Sequence, residues 1–391
     1  MSRRGRVAPI AAAGVNLAPA ATLVAGMPTV SSPPASPVVI RFGRLGDTVL
    51  LQPMLRRLHA RYGQPCRLLA LGHWPSELYS AQPEVAGCIA LRTQSGPIWL
   101  HPQRWMVALA LRGMREAPFY IAEPENRTAT KIRPMLSLAG VPASHCTFIE
   151  DIPMRPGEHW VDWLLRFSDT TPAAFAAAAA AHERAPNAPQ LQATAAEQAD
   201  GAAWLRARGM HDRPLVLLQP GNMRTMRWNG VRRAADDDKS WPAERWAALA
   251  RAIGYRLPRA QILLCGSPAE AGYLESLLGV IDRASLRIDA AALPLGRLKA
   301  LLAMAHSMVS VDTGPAHLAA AMGCPLVVLM GGREPHLWTP RSGSGSAVQL
   351  LGGLPAVRRV DEIGTAEAVA AWRELPMRPA RAHAETDEVA A

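Results

Sequence analysis

The stretch Val38-Val39-Ile40-Arg41-Phe42-Gly43-Arg44-Leu45-Gly46-Asp47-Thr48-Val49-Leu50-Leu51 passes from a β-branched run, through a loop with two glycines, into an apolar pattern of helical period. Val38–Phe42 reads as a buried strand and Thr48–Tyr62 as an amphipathic helix. A second strand, Cys66–Leu71, follows at once. Strand, glycine loop, helix and strand make a βα unit, which pairs strands in parallel and presents its loops at their carboxyl ends.

The same grammar returns downstream. Strands are expected at 214–219, 261–265, 308–311 and 325–330, with helices at 242–255, 269–278, 295–305 and 315–322. Between the two series, residues 169–200 carry Thr-Thr-Pro, an alanine run and several Gln and Pro, the composition of a connector. At 391 residues the chain exceeds what one hydrophobic core sustains, roughly 250–300 residues. The reading is α/β, with two Rossmann-like doubly wound domains at 38–190 and 191–375 facing a central cleft.

Flanking segments differ in character. Residues 1–37 open with Arg3, Arg4 and Arg6, then stay uncharged as far as Ile40. Pro9, Pro19 and Pro28, with little Leu, Ile or Phe, argue against a spanning helix, and the segment is read as a disordered leader. Residues 376–391 read as a flexible tail. Hydrophobic residues make 49% of the chain and charged ones 19%, which excludes fibrous, wholly disordered and polytopic membrane classes. The five cysteines are scattered, so neither a disulfide framework nor a metal knuckle is encoded. Net charge is +10, and all but three of the 42 basic residues are arginine, which points to an anionic partner without naming it.

Three constellations carry chemistry. In the first loop, Asp47 has two readings: a carboxylate that satisfies orphan amides at a helix start, or a general base at the cleft mouth that deprotonates an acceptor hydroxyl. In Asp312-Thr313-Gly314-Pro315-Ala316-His317, a strand stops, the chain turns and Pro315 opens a helix. Either Thr313 caps that helix and His317 packs at a core edge, or the free amides and helix dipole receive a phosphate. In Asp236-Asp237-Asp238-Lys239-Ser240-Trp241-Pro242, Lys239 stands at the positive end of a helix, where a cation needs an anion. The three aspartates are one candidate and a diphosphate is the other. Gln219 and Gly221, closing the first strand of the second series, add amides to the same cleft. Glu270 reads as an ordinary helix N-terminal glutamate, with adenosine ribose as the second reading.

The Arg-x-Gly-x-x-Gly-Asp loop at 41–47, Lys-Ser-Trp-Pro-x-Glu-Arg-Trp at 239–246 and Asp-Thr-Gly-Pro-x-His-Leu-Ala-Ala-Ala at 312–321 together resemble glycosyltransferase family 9, the ADP-heptose:lipopolysaccharide heptosyltransferases. The resemblance spans about residues 38–345. It implies a GT-B fold, an ADP-heptose donor and inverting transfer without a metal or other cofactor. Asp47 then matches the catalytic aspartate and Gly46 the glycine before it. Lys239 matches the residue on the donor diphosphate, Asp312, Thr313 and Gly314 the loop holding donor sugar and phosphate, and His317 a nearby motif histidine. The implied acceptor is a lipid-linked or phosphorylated glycan such as the lipopolysaccharide core, met in the cytoplasm with peripheral contact at the inner membrane, and no nucleic acid is expected.

Two segments depart from the family pattern. Gly331-Gly332-Arg333-Glu334-Pro335 stands where the family has Gly-Pro-Thr-Asp-Pro, and the arginine-rich 222–238 segment is long, read either as a grip on an anionic acceptor or as a surface loop. The competing readings are the same fold with another sugar nucleotide or a protein acceptor, and a non-catalytic polyanion-binding protein. The last would show a steep salt dependence and indifference to Asp47→Asn.

Overall fold

The computed structural model describes residues 35–92, 102–123, 127–176, 186–222, 224–227, 230–231, 236–281 and 287–376. Nearly all of the leader, the tail beyond Pro376 and the arginines at 232 and 233 lie outside the described residues.

The first half runs β1 Val38–Arg41, α1 Leu45–Tyr62, β2 Cys66–Leu71, α2 Trp74–Leu78, β3 Val85–Leu91, α3 Pro102–Arg112, β4 Phe119–Ile121, α4 Arg133–Ala139, β5 Cys146–Phe148 and α5 Trp160–Ser168. The second runs α6 Ala195–Ala207, β6 Leu215–Gln219, the hairpin β7 Met226–Arg227 and β8 Gly230–Val231, α7 Ala243–Arg256, β9 Gln261–Gly266, α8 Ala271–Val280, β10 Arg287–Ala292, α9 Leu295–Met304, β11 Ser307–Val311, α10 Gly314–Ala321, β12 Leu326–Met330, α11 Pro335–Trp338, β13 Val348–Gly352 and α12 Thr365–Glu374. The strands form two parallel sheets, ordered β3-β2-β1-β4-β5 and β10-β9-β6-β11-β12-β13.

Each sheet order contains a reversal, and the reversals position the site. From β1 the chain winds outward to β3, then returns to the other side of β1 as β4. From β6 it winds to β10 and returns as β11, with Gln219 paired to Ser310. Loops leaving neighbouring strands at such a switch point diverge to opposite faces and leave a crevice at the carboxyl edge. The motif loops after β1, β6 and β11 all leave from these points.

The halves are joined by packing. α1 lies against α10, whose Ala316, Leu318, Ala319, Ala320 and Ala321 are buried, and one apolar cluster runs through both helices. Small side chains on α10 let the two backbones approach closely. A polar bridge reinforces the seam: the fully buried Lys299 on α9 donates to both carboxylate oxygens of Glu197 on α6, each at 2.9 Å, to Ser80 Oγ at 3.1 Å and to the Glu77 carbonyl of α2 at 2.9 Å. A separate core, built from Val38, Ile40, Phe119 and Ile121 with Val107, Leu111, Met135 and Leu136, seats α3 and α4 on the first sheet.

Candidate active site

A crevice of about 1430 Å³ lies between the carboxyl edges of the two sheets. Gly46 and Asp47 line it from one side, and Gln219, Gly221, Lys239, Asp312, Thr313, Gly314 and His317 from the other. Every site residue expected from sequence therefore meets in one cavity.

Asp47 is not the cap residue of α1. Arg44 occupies that place, and Asp47, in the first turn, reaches back so that its Oδ2 accepts the Arg44 amide at 2.8 Å. Its Oδ1 accepts from Arg41 Nη2 at 3.0 Å, and its side chain keeps about a quarter of its surface exposed to the crevice. Arg41 is itself fixed: Nη1 donates to the Ala122 carbonyl at 3.0 Å, and Glu123 Oε2 stands 3.6 Å away. The other Glu123 oxygen accepts from Arg127 at 2.8 Å. Asp47 thus accepts one hydrogen bond on each oxygen, has acceptor capacity left over, and borders the crevice.

Lys239 is held by the chain on both sides of it. Asp237, buried, accepts the Lys239 amide on Oδ1 at 3.1 Å and the Asn222 side-chain amide on Oδ2 at 3.0 Å, while Asp238 pairs with Arg224 at 3.0 Å. The aspartate run therefore shapes the loop and does not neutralise the ammonium, which corrects the local-pairing alternative. Nζ instead donates to the carboxylate of Asp312 and to its carbonyl at 2.7 Å. In the rest of that motif, Trp241 and Trp246 meet edge to face at 4.9 Å in the core and Arg245 donates to the Asp361 and Ile363 carbonyls. These side chains anchor the loop, and only Lys239 turns into the crevice.

The third motif closes the cavity from behind. Thr313 sits at the cap position of α10 but makes no capping bond through its side chain, and its Oγ1 pairs with Ser310 Oγ at 3.1 Å. In the first turn of α10, Pro315 has no N–H and the Ala316 amide donates to the Thr313 carbonyl at 3.1 Å, so among the described residues only the Gly314 amide is left without a partner there. His317 is buried with Nδ1 unpartnered, and burial pushes its pKa down, so the ring is neutral. A β-carbon on Gly46 would stand 3.0 Å from its Cδ2, and one on Gly314 would stand 2.8 Å from Leu45 Cβ and 3.0 Å from the Gly46 amide nitrogen. Glycine at both positions lets the two loops touch.

Glu270 fills two roles. One oxygen accepts from the Ser267 amide and hydroxyl at 2.7 Å each, the capping arrangement read from sequence. The other, buried and unpartnered, points at Gly221, where a β-carbon would come within 2.1 Å of it. Several lining residues had no signal in the sequence: Glu123, Arg127, Glu150, Trp163 and Trp338 come from distant loops and helices. Trp338 stacks on Trp160 at 4.9 Å, and Trp160 meets Trp163 edge to face, giving the cavity an aromatic wall. Arg333, from the segment that departs from the family pattern, also faces it. Among the described residues no three His, Cys, Asp or Glu side chains converge as metal ligands, and no helix is long and apolar enough to cross a membrane.

Known proteins share this fold. Residues 173–364 match glycosyltransferase family 9 (heptosyltransferase). Lipopolysaccharide heptosyltransferase 2 of Escherichia coli K12 is 26% identical over 333 residues, covering 81% of this chain and 88% of its own. Among solved structures, E. coli ADP-heptose LPS heptosyltransferase II superposes with a TM-score of 0.66 at 20% identity, over 86% of this chain and 97% of that one. E. coli heptosyltransferase WaaC with ADP gives 0.58 at 18% identity, over 87% and 99%. The two facing sheets are the GT-B fold. With the fold, the family match and the relatives in agreement, the chain belongs to glycosyltransferase family 9 and is a glycosyltransferase.

Proposed function

We propose that this enzyme transfers heptose from ADP-heptose to a lipopolysaccharide-core or related glycan acceptor, with inversion. The observation that carries the reading is the meeting of Asp47 with Lys239 and the 312–317 turn in one crevice. The domain at 38–190 offers the acceptor and the domain at 191–375 holds the donor. Asp47 takes the proton of the acceptor hydroxyl, and that oxygen bonds to the anomeric carbon from the face opposite the diphosphate. The bond from the anomeric carbon to the diphosphate breaks, and ADP leaves with the electron pair. Lys239 and the Gly314 amide at the start of α10 face the charge that grows on the leaving phosphate, as preorganised donors in a partly desolvated crevice. Lys239 has three N–H donors and spends two on Asp312, so the third remains for the phosphate. Relatives of this fold were solved with ADP and with ADP-2-deoxy-2-fluoro heptose, which supports the donor.

The test incubates the purified full chain with ADP-heptose and a truncated lipid acceptor and measures ADP release. Asp47→Asn is expected to lower release by at least about a hundredfold while ADP affinity is retained. Turnover of a different sugar nucleotide in a parallel donor screen, with ADP-heptose inert, would overturn the donor; an active Asp47→Asn would overturn the base.

A further inference from the structure

Arg41, the last residue of β1, is buried, with 5% of its surface exposed, and the two ends of its guanidinium serve different partners. Nη1 donates to the carbonyl of Ala122, the residue after β4, and lies 3.6 Å from Glu123 Oε2, while Nη2 donates to Asp47 Oδ1. Glu123 is itself fixed, accepting the Phe42 amide at 2.7 Å and Arg127 at 2.8 Å. The ring of Trp160 on α5 lies 5.1 Å from Arg41 Cζ and stacks in turn on Trp338 of the second half. Gly43 leaves the space this grouping needs: a β-carbon there would stand 2.5 Å from Asp47 Cβ and 3.1 Å from Arg41 Nε.

Stability is a weak reason for such an arginine. A buried ion pair seldom outweighs the desolvation of its two charges, and Arg41 Nε is buried with no partner among the described residues. What the planar fork does supply is a fixed reference. β1 and β4 are neighbours in the first sheet, so a guanidinium bonded from the end of one to the end of the other is held by the sheet itself. Asp47 stands in the first turn of α1, and its other hydrogen bond is to the Arg44 amide of its own loop. Without Arg41 the carboxylate is free to pivot about that one bond. A general base must lie within hydrogen-bond reach of its proton, and a misplacement of about 1 Å can cost about a hundredfold in rate. A lysine carries the same charge but lacks the fork that spans both partners.

We infer that Arg41 is a positioning residue of the transfer: it ties the Asp47 carboxylate to the carboxyl edge of the first sheet and so holds the base in the orientation that meets the acceptor hydroxyl. Glu123 supplies the countercharge and Trp160 the floor on which the guanidinium rests. The inference rests on Asp47 being the base.

The test is a double-variant cycle read by ADP release from the full chain, run with whichever sugar nucleotide the donor screen selects. Arg41→Ala is expected to lower kcat by about tenfold or more while the donor KM stays within about threefold of wild type, because orienting the base acts after the donor has bound. Arg41→Lys should lose at least about threefold, less than Arg41→Ala. Added guanidinium ion, well below denaturing concentration, should restore part of the Arg41→Ala activity, and sodium chloride should not. Placed in Asp47→Asn, the change Arg41→Ala should cost little more, since Arg41 acts through Asp47. Smaller losses in the single variants overturn the inference. So do losses that multiply in the double variant, a donor KM that rises as kcat falls, or an Arg41→Ala enzyme that guanidinium leaves inactive, each of which makes Arg41 a structural residue of the loop. If Arg41→Ala does not fold, Arg41→Lys alone and with Asp47→Asn carries the same comparison. An active Asp47→Asn overturns the base itself, whereas an inactive Asp47→Asn beside fully active Arg41 variants overturns this inference alone.

Discussion

Lys239 grips Asp312 at two points, through the side-chain carboxylate and through the main-chain carbonyl of the same residue, 73 positions away. The contact pins the end of β11 to the loop before α7. Replacing Lys239 with Ala removes the cation facing the crevice and leaves the mostly buried Asp312 carboxylate without it. We expect ADP affinity to fall by about tenfold or more, from the loss of one charge-assisted contact. Titration of ADP by calorimetry checks this, and an unchanged affinity would confine Lys239 to holding Asp312.

Gly314 has no room for a methyl group, since Leu45 and the Gly46 amide already stand within contact distance of where it would go. Gly314→Ala should cost about 1–3 kcal/mol, as overpacking does, and should depress ADP release by parting the two loops. Gly272, inside α8 and with nothing within 4 Å of where its β-carbon would stand, is the comparison. Gly272→Ala should be neutral or stabilising by up to about 1 kcal/mol. Denaturant melts of the two variants read the difference.

His159 links the halves: its Nδ1 accepts the Val161 amide at 3.1 Å, capping α5, and its Nε2 donates to the Thr339 carbonyl at 2.9 Å. Burial, aided by the Arg341 charge, pushes its pKa down to about 4. In the unfolded chain the ring titrates near 6.5, so as pH falls from about 6.5 toward 4 the unfolded state takes up a proton that the folded state refuses. Stability is therefore present above that window and is lost on acidification, by on the order of 3 kcal/mol from this residue. His159→Asn keeps a capping side chain without the titration. Urea melts from pH 7 to 4.5 should show a shallower pH slope for the variant, and equal slopes would count against the assignment.

Lys299 has no exposed surface and satisfies its three protons among Glu197, Glu77 and Ser80. Lys299→Met strands the Glu197 carboxylate and should destabilise by about 3–5 kcal/mol. Adding Glu197→Gln to that variant should recover part of the loss, because the uncompensated charge is gone. Thermal melts of the two variants decide it; a double variant no more stable than the single would reject the pairing.

The fold was legible where strands were long and buried on both faces. β2 begins and ends where the sequence pattern places it, and α1 starts three residues early because the glycine loop itself turns helical at Leu45. β4 and β5 escaped because three-residue strands carry no period. β10, Arg-Ile-Asp-Ala-Ala-Ala, escaped because alanine has little strand preference, and its pairing with β9 supplies what its side chains do not. In the site, glycine, aspartate and proline at strand-to-helix junctions announce themselves locally. The partners of those residues do not: the clamp of Arg41 on Asp47 repeats no known spacing, and Asp312 could not be preferred to three adjacent aspartates as the partner of Lys239 without the topology that brings β11 beside β6.

The close seating of α1 on α10 restricts how such an enzyme can breathe. Six residues of α10 are buried along its length, so sliding one half away from the other would strip that surface bare. Motion that leaves the seam intact must tip about it, and the aspartate at the start of one helix then stays beside the turn at the start of the other through the whole swing. What widens is the part of the crevice away from that seam. The enzyme on this view works as a jaw whose teeth sit next to the hinge pin, admitting an outsized substrate without ever separating the chemistry.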